Sequence, residues 1–412
     1  MPHPSPTPAR DGGRSTPVPP PAWDDVEPLP LGSAPVPAYG TGSLADLLPT
    51  LGAHLGVPGC DAAIPELAPV DRACVFLIDG LGWEQLKAHP DEAPFLSSLI
   101  ASSRGGTGRP ITAGYPATTA TSLASVGTGL PPGAHGLPGY TVRDSATGEL
   151  MNQLRWTPWT DPRAWQPYPT IFQRAHEAGV HTAQVSAPAF QSTPLTKIAL
   201  SGGTFHGRLS GEDRMDLAAA QLAAGDRSLV YTYYSEVDGK GHRFGVDSDP
   251  WRDQLGYVDR LAQRLAEQLP PRSALYVTAD HGMLDIPFDE QSRIDFDEDW
   301  ELRAGVALLG GEGRARHVYA VPGAQGDVLA VWREVLGEQF WIASRDEAID
   351  AGWFGPRIDE RVYDRIGDVV AAAHDDVLII ASRTEPKESR MVGNHGSMTP
   401  AEQLVPLLEV RS

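Results

Sequence analysis

The sequence predicts an α/β fold whose central sheet is mostly parallel and carries helices on both faces. Several short, continuous apolar runs are typical of strands that are buried on both faces of a sheet. Segments with helical spacing lie between these runs, and this alternation favours parallel strands joined by crossover helices. Acidic residues and histidines follow directly after several runs, at the edge where open α/β sheets bind ligands.

Four apolar or β-rich runs define the predicted main sheet. A short predicted helix over residues 171–178 is ended by Gly179. Asp249 and Pro250 are a favourable start for a longer helix, as N-cap and first-turn residue, and Pro270 stops that helix. The predicted strands are residues 73–78, 181–186, 229–234 and 275–279.

Proline dominates residues 1–40. Proline fixes φ and lacks a backbone N–H, so this segment is unsuited to helices and to sheet ladders. We therefore expect a disordered or extended tail here, with the catalytic domain covering residues 41–412. A proline-rich ligand for a recognition domain is the alternative interpretation.

Residues 284–390 depart from the alternating pattern, and we predict that they form an insertion, called the cap, over the main sheet. The segment opens with an acidic, irregular stretch over residues 285–301. A predicted strand over residues 317–321 and a predicted helix over residues 324–336 follow. We expect substrate choice to depend on this cap.

Composition and charge exclude several classes of protein. With 41% hydrophobic residues the chain can bury a sizeable core, which excludes a wholly disordered protein. The 53 acidic and 33 basic residues give a net charge of -20, which repels polyanions and disfavours a nucleic-acid polymer as partner. A small anionic substrate remains compatible with this charge where bound metal ions dominate the local field.

Cysteine content and hydropathy predict a cytoplasmic protein that has no membrane partner. The two cysteines, Cys60 and Cys74, cannot build a disulfide framework. No apolar stretch reaches the roughly 18 residues that a spanning helix needs. No secretory signal is visible at the N-terminus either.

Carboxylates and imidazoles cluster after the predicted strand ends. Each one alone is most often a turn residue or a solvent-exposed side chain, but a parallel sheet would bring them together at one edge. Carboxylate and imidazole ligands without thiolate suit zinc, manganese or iron(II). The candidate ligands are Asp79, Asp238, His242, Asp280, His281 and His395.

Small hydroxyl residues are dense just before a helix-compatible segment that begins at Ala120. A threonine at a helix N-terminus lies beside unpaired N–H groups and the positive end of the helix dipole. Both features favour a developing alkoxide and a bound phosphate. An ordinary N-cap threonine is the alternative interpretation.

Together these segments resemble the alkaline phosphatase superfamily, and most closely its nucleotide pyrophosphatase/phosphodiesterase branch, over residues from about 70 to 400. The signature of that family is an Asp after the first strand, a Ser or Thr nucleophile, D-x-x-x-H, D-H-G and a late His. All of these are present here in the same order. The resemblance implies an alkaline phosphatase-like fold that binds two divalent metal ions, zinc or alternatively manganese.

The resemblance also implies how the candidate ligands are divided between the two metal ions. One ion would be held by Asp238, His242 and His395. The other would be held by Asp79, Asp280, His281 and the nucleophile oxygen.

The position of the nucleophile follows from a family landmark. Thr128 and Gly129 match that landmark, and counting back from them places the nucleophile at Thr119. Thr118 is the neighbouring alternative. His135 lies within the same landmark and is expected to be structural rather than a ligand.

The activity implied by the resemblance is hydrolysis of phosphodiester or pyrophosphate bonds in a small phosphate-ester substrate, through a phospho-threonine intermediate. A phosphomonoesterase or phosphonate hydrolase of the same superfamily is the nearest alternative. A non-catalytic scaffold or binding protein is the alternative from another class. Family phosphodiesterases often carry an aromatic residue directly after the nucleophile, where this chain has Ala120. Tyr115, Tyr140 and Phe244 could supply replacement stacking on a nucleobase, and packing in the core is the alternative interpretation for them.

Overall fold

The computed structural model describes residues 31–100 and 108–412. In these ranges the strands are β1 Arg72–Ile78, β2 Arg109–Thr112, β3 Thr141–Arg143, β4 Leu150–Asn152, β5 His181–Ser186, β6 Thr204–Gly207, β7 Ser228–Tyr234, β8 Ser273–Thr278, β9 Leu284–Asp285, β10 Arg293–Asp295, β11 Val306–Glu312, β12 Ala315–Ala320, β13 Phe340–Ser344, β14 Val369–Ala373, β15 Leu378–Ile380, β16 Gly393–Asn394 and β17 Leu404–Arg411. The α-helices are α1 Leu44–His54, α2 Trp83–Ala88, α3 Pro94–Ile100, α4 Thr119–Thr128, α5 Pro132–His135, α6 Pro162–Trp165, α7 Ile171–Glu177, α8 Pro194–Ala199, α9 Gly211–Ala223, α10 Glu236–Phe244, α11 Asp249–Glu267, α12 Trp300–Arg303, α13 Gln325–Leu336, α14 Arg345–Asp350, α15 Glu360–Tyr363 and α16 Pro400–Gln403. Short 3₁₀ turns lie at Leu31–Ser33, Pro188–Phe190 and Glu388–Arg390.

The central sheet has seven strands in the order β2–β17–β8–β1–β7–β5–β6. The five strands from β8 to β6 are parallel, whereas β17 runs antiparallel to both β8 and β2. Every residue of β7 and β8 is buried, as expected for strands whose two faces are both covered. The predicted α/β fold with a mostly parallel sheet is therefore confirmed.

The four predicted strands of the main sheet are present as β1, β5, β7 and β8, with ends displaced by at most two residues. The predicted helices correspond to α7 and α11. The sequence did not predict β2, β6 or β17. β2 and β6 have only four residues each, and β17 carries Pro406 opposite Pro110 of β2. Short length and proline both weaken the sequence pattern by which a strand is recognised.

The register of the parallel strands determines where the functional residues lie. Ile78, the last residue of β1, pairs with Tyr234, the last residue of β7. On the other side of β1, Leu77 pairs with Thr278, the last residue of β8. The loops that follow these three strands therefore start at the same edge of the sheet.

The cap contains a sheet of its own, with the antiparallel order β11–β12–β14–β13. Trp332 of α13 lies in a separate hydrophobic cluster on this sheet. The predicted strand and helix of the cap are present as β12 and α13, and the stretch over residues 285–301 contains β10 and the start of α12. A fully buried ion pair joins the cap to the main domain, because Arg314 donates to both carboxylate oxygens of Glu402 at 3.0 and 2.7 Å.

The segment assigned to the proline-rich tail is described from residue 31 onward, and residues 31–40 contact the folded domain. Trp341 Nε1 donates to Ser33 Oγ at 2.9 Å. The Tyr39 hydroxyl donates to the Trp353 carbonyl and accepts from the Tyr115 N–H, both at 3.0 Å. The folded region therefore begins before the expected boundary at residue 40. Composition alone does not reveal this, because the hydrogen bonds come from one aromatic side chain, Tyr39, that follows the proline-rich stretch. Residues 1–30 lie outside the described residues.

None of the helices in residues 31–100 and 108–412 has the length and apolar character needed to cross a bilayer.

Truncation before residue 31 and truncation before residue 41 are expected to give proteins of different stability. Removing residues 31–40 leaves the Trp353 carbonyl and the Tyr115 N–H without their shared partner. An unsatisfied buried polar group costs about 1–3 kcal/mol. In chemical denaturation, the chain that starts at residue 41 should therefore unfold at a lower midpoint than the chain that starts at residue 31. Equal midpoints would contradict a structural role for this segment.

Candidate active site

The strand ends carry the three candidate aspartates to one place. Asp79 directly follows β1, and Asp280 lies just beyond β8, the neighbouring strand. Asp238 lies in the first turn of α10, which follows β7 on the other side of β1. The Asp238 N–H donates to the Asp79 carbonyl at 3.1 Å, and the Gly80 N–H donates to Asp280 Oδ1 at 3.1 Å. The segment that follows β1 is therefore hydrogen-bonded to the segments that follow β7 and β8.

Asp79, Asp280 and His281 form a buried group whose ligand atoms all lie within 4.8 Å of one another. His281 Nε2 lies 3.4 Å from Asp79 Oδ1 and 3.6 Å from Asp280 Oδ2. The Tyr233 hydroxyl donates to the other oxygen of Asp79, Oδ2, and so fixes the orientation of that carboxylate. This group can hold one cation.

Asp238, His242 and His395 form a second group within the same 4.8 Å limit. Asp238 and His242 are four residues apart on α10 and so share one face of the helix. Asp238 Oδ1 lies 3.2 Å from His242 Nε2 and 3.9 Å from His395 Nε2. The His281 ring of the first group stacks on His395 with the ring centroids 3.6 Å apart, so the two groups are direct neighbours.

Backbone carbonyls orient all three histidines in the same way. Nδ1 lies 2.8 Å from the Gly393 carbonyl in His242, 3.0 Å from the Gly282 carbonyl in His281, and 2.9 Å from the Ala117 carbonyl in His395. A carbonyl only accepts, so Nδ1 carries the proton and the Nε2 lone pair points into the site. This is the usual arrangement around a metal-binding histidine.

The charges of this site fit bound divalent cations. Asp79 Oδ1, Asp238 Oδ1 and Asp280 Oδ2 are buried and have no hydrogen-bond partner among the described residues. Burial, followed by the charges of Asp280 and Asp238, raises the pKa of Asp79 well above its ordinary value, and burial also raises the pKa of Asp280. Buried carboxylates without partners are costly unless cations neutralise them. The oxygen and nitrogen donors suit zinc or manganese rather than a soft metal.

Thr119, rather than Thr118, faces the two groups. Thr119 is the first residue of α4 and is half-buried, and its Oγ1 lies 3.3 Å from His281 Nε2. Thr118 is buried, and its hydroxyl donates to Glu312 Oε2 at 3.1 Å. Of these two hydroxyls, it is therefore that of Thr119 which lies beside His281 of the first ligand group.

His135 lies apart from the ligand groups. Its Nε2 is 3.0 Å from Ser125 Oγ, and its Nδ1 accepts from the Leu137 N–H at 3.1 Å. Burial lowers the pKa of His135 to about 3, which keeps the ring neutral. These contacts agree with the structural role expected for this residue.

Two cavities meet at Thr119, Leu154 and Asp238. The first has a volume of about 230 Å³ and lies against the cap. Its further lining residues include Tyr140, Glu312, Arg316 and Glu388. The second has a volume of about 240 Å³ and is mostly apolar. Its further lining residues include Leu123, Phe190, Leu195, Phe205 and Tyr233.

Of the three aromatic residues considered for stacking, only Tyr140 lines one of these cavities. Tyr115 is fully buried against Trp353, with ring centroids 5.2 Å apart, and Phe244 is exposed. The sequence did not reveal Phe190 or Phe205, because isolated aromatic residues in short segments have no distinguishing pattern. Glu312 was also missed, because a single glutamate in a short segment has no distinguishing pattern either.

The fold and the two ligand groups are those that the resemblance to the alkaline phosphatase superfamily implies. Within it, the chain belongs to the type I phosphodiesterase / nucleotide pyrophosphatase family, whose model matches residues 73–398. Human ectonucleotide pyrophosphatase/phosphodiesterase family member 7 is 30% identical over 148 residues. That match covers 32% of this chain and 32% of the human protein, so it spans about a third of that relative's length.

Two solved structures share the fold at low sequence identity. The structure of an inactive variant of murine ectonucleotide pyrophosphatase/phosphodiesterase 5 in complex with AMP superposes with a TM-score of 0.62 at 20% identity, over 82% of this chain and 87% of that chain. Phosphonoacetate hydrolase from Sinorhizobium meliloti 1021, in complex with phosphonoacetate, gives a TM-score of 0.63 at 20% identity, over 83% and 90%. At 20% identity, these two similarities show a shared fold and nothing about activity.

Once chelation has removed divalent ions, the stability of the protein is expected to fall as the pH rises. Because burial raises the pKa of Asp79 and Asp280, the cation-free folded state holds their protons more tightly than the unfolded state. The stabilisation from these bound protons is complete below a pH of about 4, which is the pKa of the carboxyls in the unfolded chain. It is lost as the pH rises toward the pKa of the same carboxyls in the folded protein. Melting temperatures of chelator-treated protein across this range would measure the decline.

Asp79→Asn should make this decline shallower, because it removes one of the buried titrating groups. The exposed carboxylate of Asp253 on α11 provides the matched control, so Asp253→Asn should leave the decline unchanged. A decline of the same steepness in Asp79→Asn would contradict the assignment to the buried carboxylates.

Proposed function

We propose that this protein is a two-metal hydrolase that cleaves phosphodiester or pyrophosphate bonds with Thr119 as the nucleophile. The observation that carries the proposal is the Thr119 hydroxyl, which lies beside the two ligand groups where two separate cavities meet. Asp238, His242 and His395 would hold one cation, and Asp79, Asp280, His281 and Thr119 Oγ1 the other. When bound, such cations lower the pKa of the attacking hydroxyl and offset charge on the phosphoryl group.

The residues of the chain would divide the reaction between them. Thr119 Oγ1 attacks phosphorus, so that a phosphorus–oxygen bond to the threonine forms while the bond to the leaving group breaks. The first turn of α4 presents N–H groups and the positive end of the helix dipole to the phosphoryl oxygens. Water then breaks the bond to Thr119, which releases the phosphoryl product and restores the hydroxyl.

The pair of cavities favours a diester over a monoester. A phosphodiester has two substituents, and one cavity is available for each. The cap-side cavity has charged walls and suits a polar substituent, whereas the other suits an apolar or aromatic one. A small phosphonate would need only one of them.

The buried carboxylates argue against a non-catalytic scaffold. A scaffold would gain nothing from three aspartates that each have a buried carboxylate oxygen without a hydrogen-bond partner in the described chain. Groups with strongly shifted pKa values cluster at functional sites for this reason.

Loss of the nucleophile or of a ligand is expected to abolish turnover while the fold is kept. Thr119→Ala, Asp280→Asn and His395→Ala should each lower kcat/KM for bis-nitrophenyl phosphate by more than about a thousandfold. Thr147→Ala, at an exposed threonine of the β3–β4 turn, is the control and should keep the wild-type rate. Wild-type turnover in Thr119→Ala would refute the proposed nucleophile.

Filling the apolar cavity should affect diesters far more than monoesters. Thr196 of α8 lines this cavity, whereas its neighbour Lys197 does not. Thr196→Trp should lower kcat/KM for bis-nitrophenyl phosphate by about tenfold, equivalent to about 1.4 kcal/mol. Nitrophenyl phosphate should be much less affected, and Lys197→Trp should change neither rate. A wild-type preference for nitrophenyl phosphate would favour the phosphomonoesterase alternative, and turnover of phosphonoacetate alone would favour the phosphonate hydrolase.

A further inference from the structure

We propose that Glu312 positions Thr118 so that the first turn of α4 keeps its N–H groups free for a phosphoryl oxygen of the substrate. Glu312 lies at the end of β11 in the cap, and its Oε2 accepts from Thr118 at 3.1 Å and lies 3.6 Å from His395 Nδ1. In this proposal it is a positioning residue that acts through Thr118. The inference rests on the proposed function, because it concerns how the phosphoryl group is held beside Thr119.

Of the three other threonine N-caps among the described residues, two make the usual cap bond, whereas Thr399 donates to a glutamate, Glu402, as Thr118 does to Glu312. The N-cap residue of a helix normally accepts a hydrogen bond from an N–H of the first turn. Thr170 accepts in this way from the Gln173 N–H at 3.1 Å, and Thr193 from the Thr196 N–H at 3.2 Å. Thr118 has the extended backbone of an N-cap, with φ -141° and ψ 149°, but its side chain makes no such bond.

Glu312 accounts for this difference. The Thr118 hydroxyl donates to Glu312 Oε2 at 3.1 Å, which turns it away from the helix. A carboxyl group offers an accepting oxygen whether or not it is protonated, so the contact does not depend on the ionisation of Glu312. The N–H groups of Ala120 and Thr121, which a normal N-cap would occupy, are therefore left for a ligand.

The cap hairpin that carries Glu312 is fixed to the loop that carries His395. Arg314, in the turn after Glu312, forms the fully buried ion pair with Glu402. Glu402 Oε1 also accepts from the Ser397 N–H at 2.9 Å, two residues beyond His395. The position of Glu312 is thus coupled to the candidate metal centre rather than to the cap alone.

Without Glu312, the Thr118 side chain could rotate and cap α4 itself. A phosphoryl oxygen would then have to displace an N-cap hydrogen bond before it could bind the same N–H groups. The usual strength of such a bond corresponds to about a fivefold loss of affinity. The loss should appear in phosphate binding and in KM more than in metal content or in folding.

A double-mutant cycle on the full chain loaded with zinc or manganese tests this inference. Titration calorimetry with inorganic phosphate would measure Kd for wild type, Glu312→Ala, Thr118→Val and the double variant. Glu312→Ala should raise Kd about fivefold, and Glu312→Gln should stay within about twofold of wild type, because its amide oxygen accepts the same hydrogen bond. In the Thr118→Val background, which has no hydroxyl to cap the helix, Glu312→Ala should change Kd by less than about twofold.

Two results would overturn the inference. One is an equal rise in the Kd for phosphate when Glu312→Ala is made in the wild-type and in the Thr118→Val background. This result would mean that Glu312 acts directly on the ligand or the metal centre. The other is an equal loss in Glu312→Gln and Glu312→Ala, which would assign the effect to charge. Metal content and melting temperature are measured for each variant, and Glu312→Leu, which fills the same space without an acceptor, replaces Glu312→Ala if that variant unfolds.

These results are distinguishable from failure of the proposed function. If wild type turns over no phosphate ester but the cycle shows the predicted coupling, the positioning role stands and the proposed reaction is wrong. If wild type turns over diesters and the cycle shows no coupling, the reaction stands and the role of Glu312 is wrong. Absence of phosphate binding in wild type would overturn the positioning role.

Discussion

The need to neutralise three neighbouring aspartates governs the organisation of the candidate site. Asp79, Asp238 and Asp280 meet at one sheet edge, and each has one buried oxygen without a hydrogen-bond partner in the described chain. The desolvation that raises the pKa of Asp79 and Asp280 would be relieved by cations at the same place. The three histidines around these carboxylates all present Nε2, because a backbone carbonyl holds each Nδ1. The orientation of the histidines and the unpaired carboxylate oxygens thus both favour a divalent cation as the ligand.

The cap is part of the candidate site and not merely a cover for it. Glu312 contacts Thr118, and Arg316 and Glu388 line the cavity on the cap side. The buried pair between Arg314 and Glu402 fixes the hairpin to the main domain, and breaking such a pair leaves an uncompensated buried charge. The apolar cavity, in contrast, is built by segments of the main domain. The two halves of a diester would therefore be recognised by different parts of the fold.

The central strands could be predicted because burial on both faces imposes a continuous apolar run, as in Leu229–Tyr234 of β7. The strands β2, β6 and β17 could not, because β2 and β6 have only four residues each and β17 is interrupted by Pro406. The beginning of the folded domain was placed too late for a related reason. Tyr39 follows a proline-rich stretch, and only its contacts with Trp353 and Tyr115 show that the segment is packed.

The sequence by itself determined which side chains are available for chemistry and their order along the chain, since the family signature is a pattern of residue types after strand ends. Only the tertiary structure decided which atoms meet. It directs the Thr119 hydroxyl toward His281 and the adjacent Thr118 hydroxyl toward Glu312. It also forms two cavities that meet beside Thr119. The physical reason is that contacts between loops far apart in the chain depend on strand register and on the docking of the cap, and neither is encoded in local spacing.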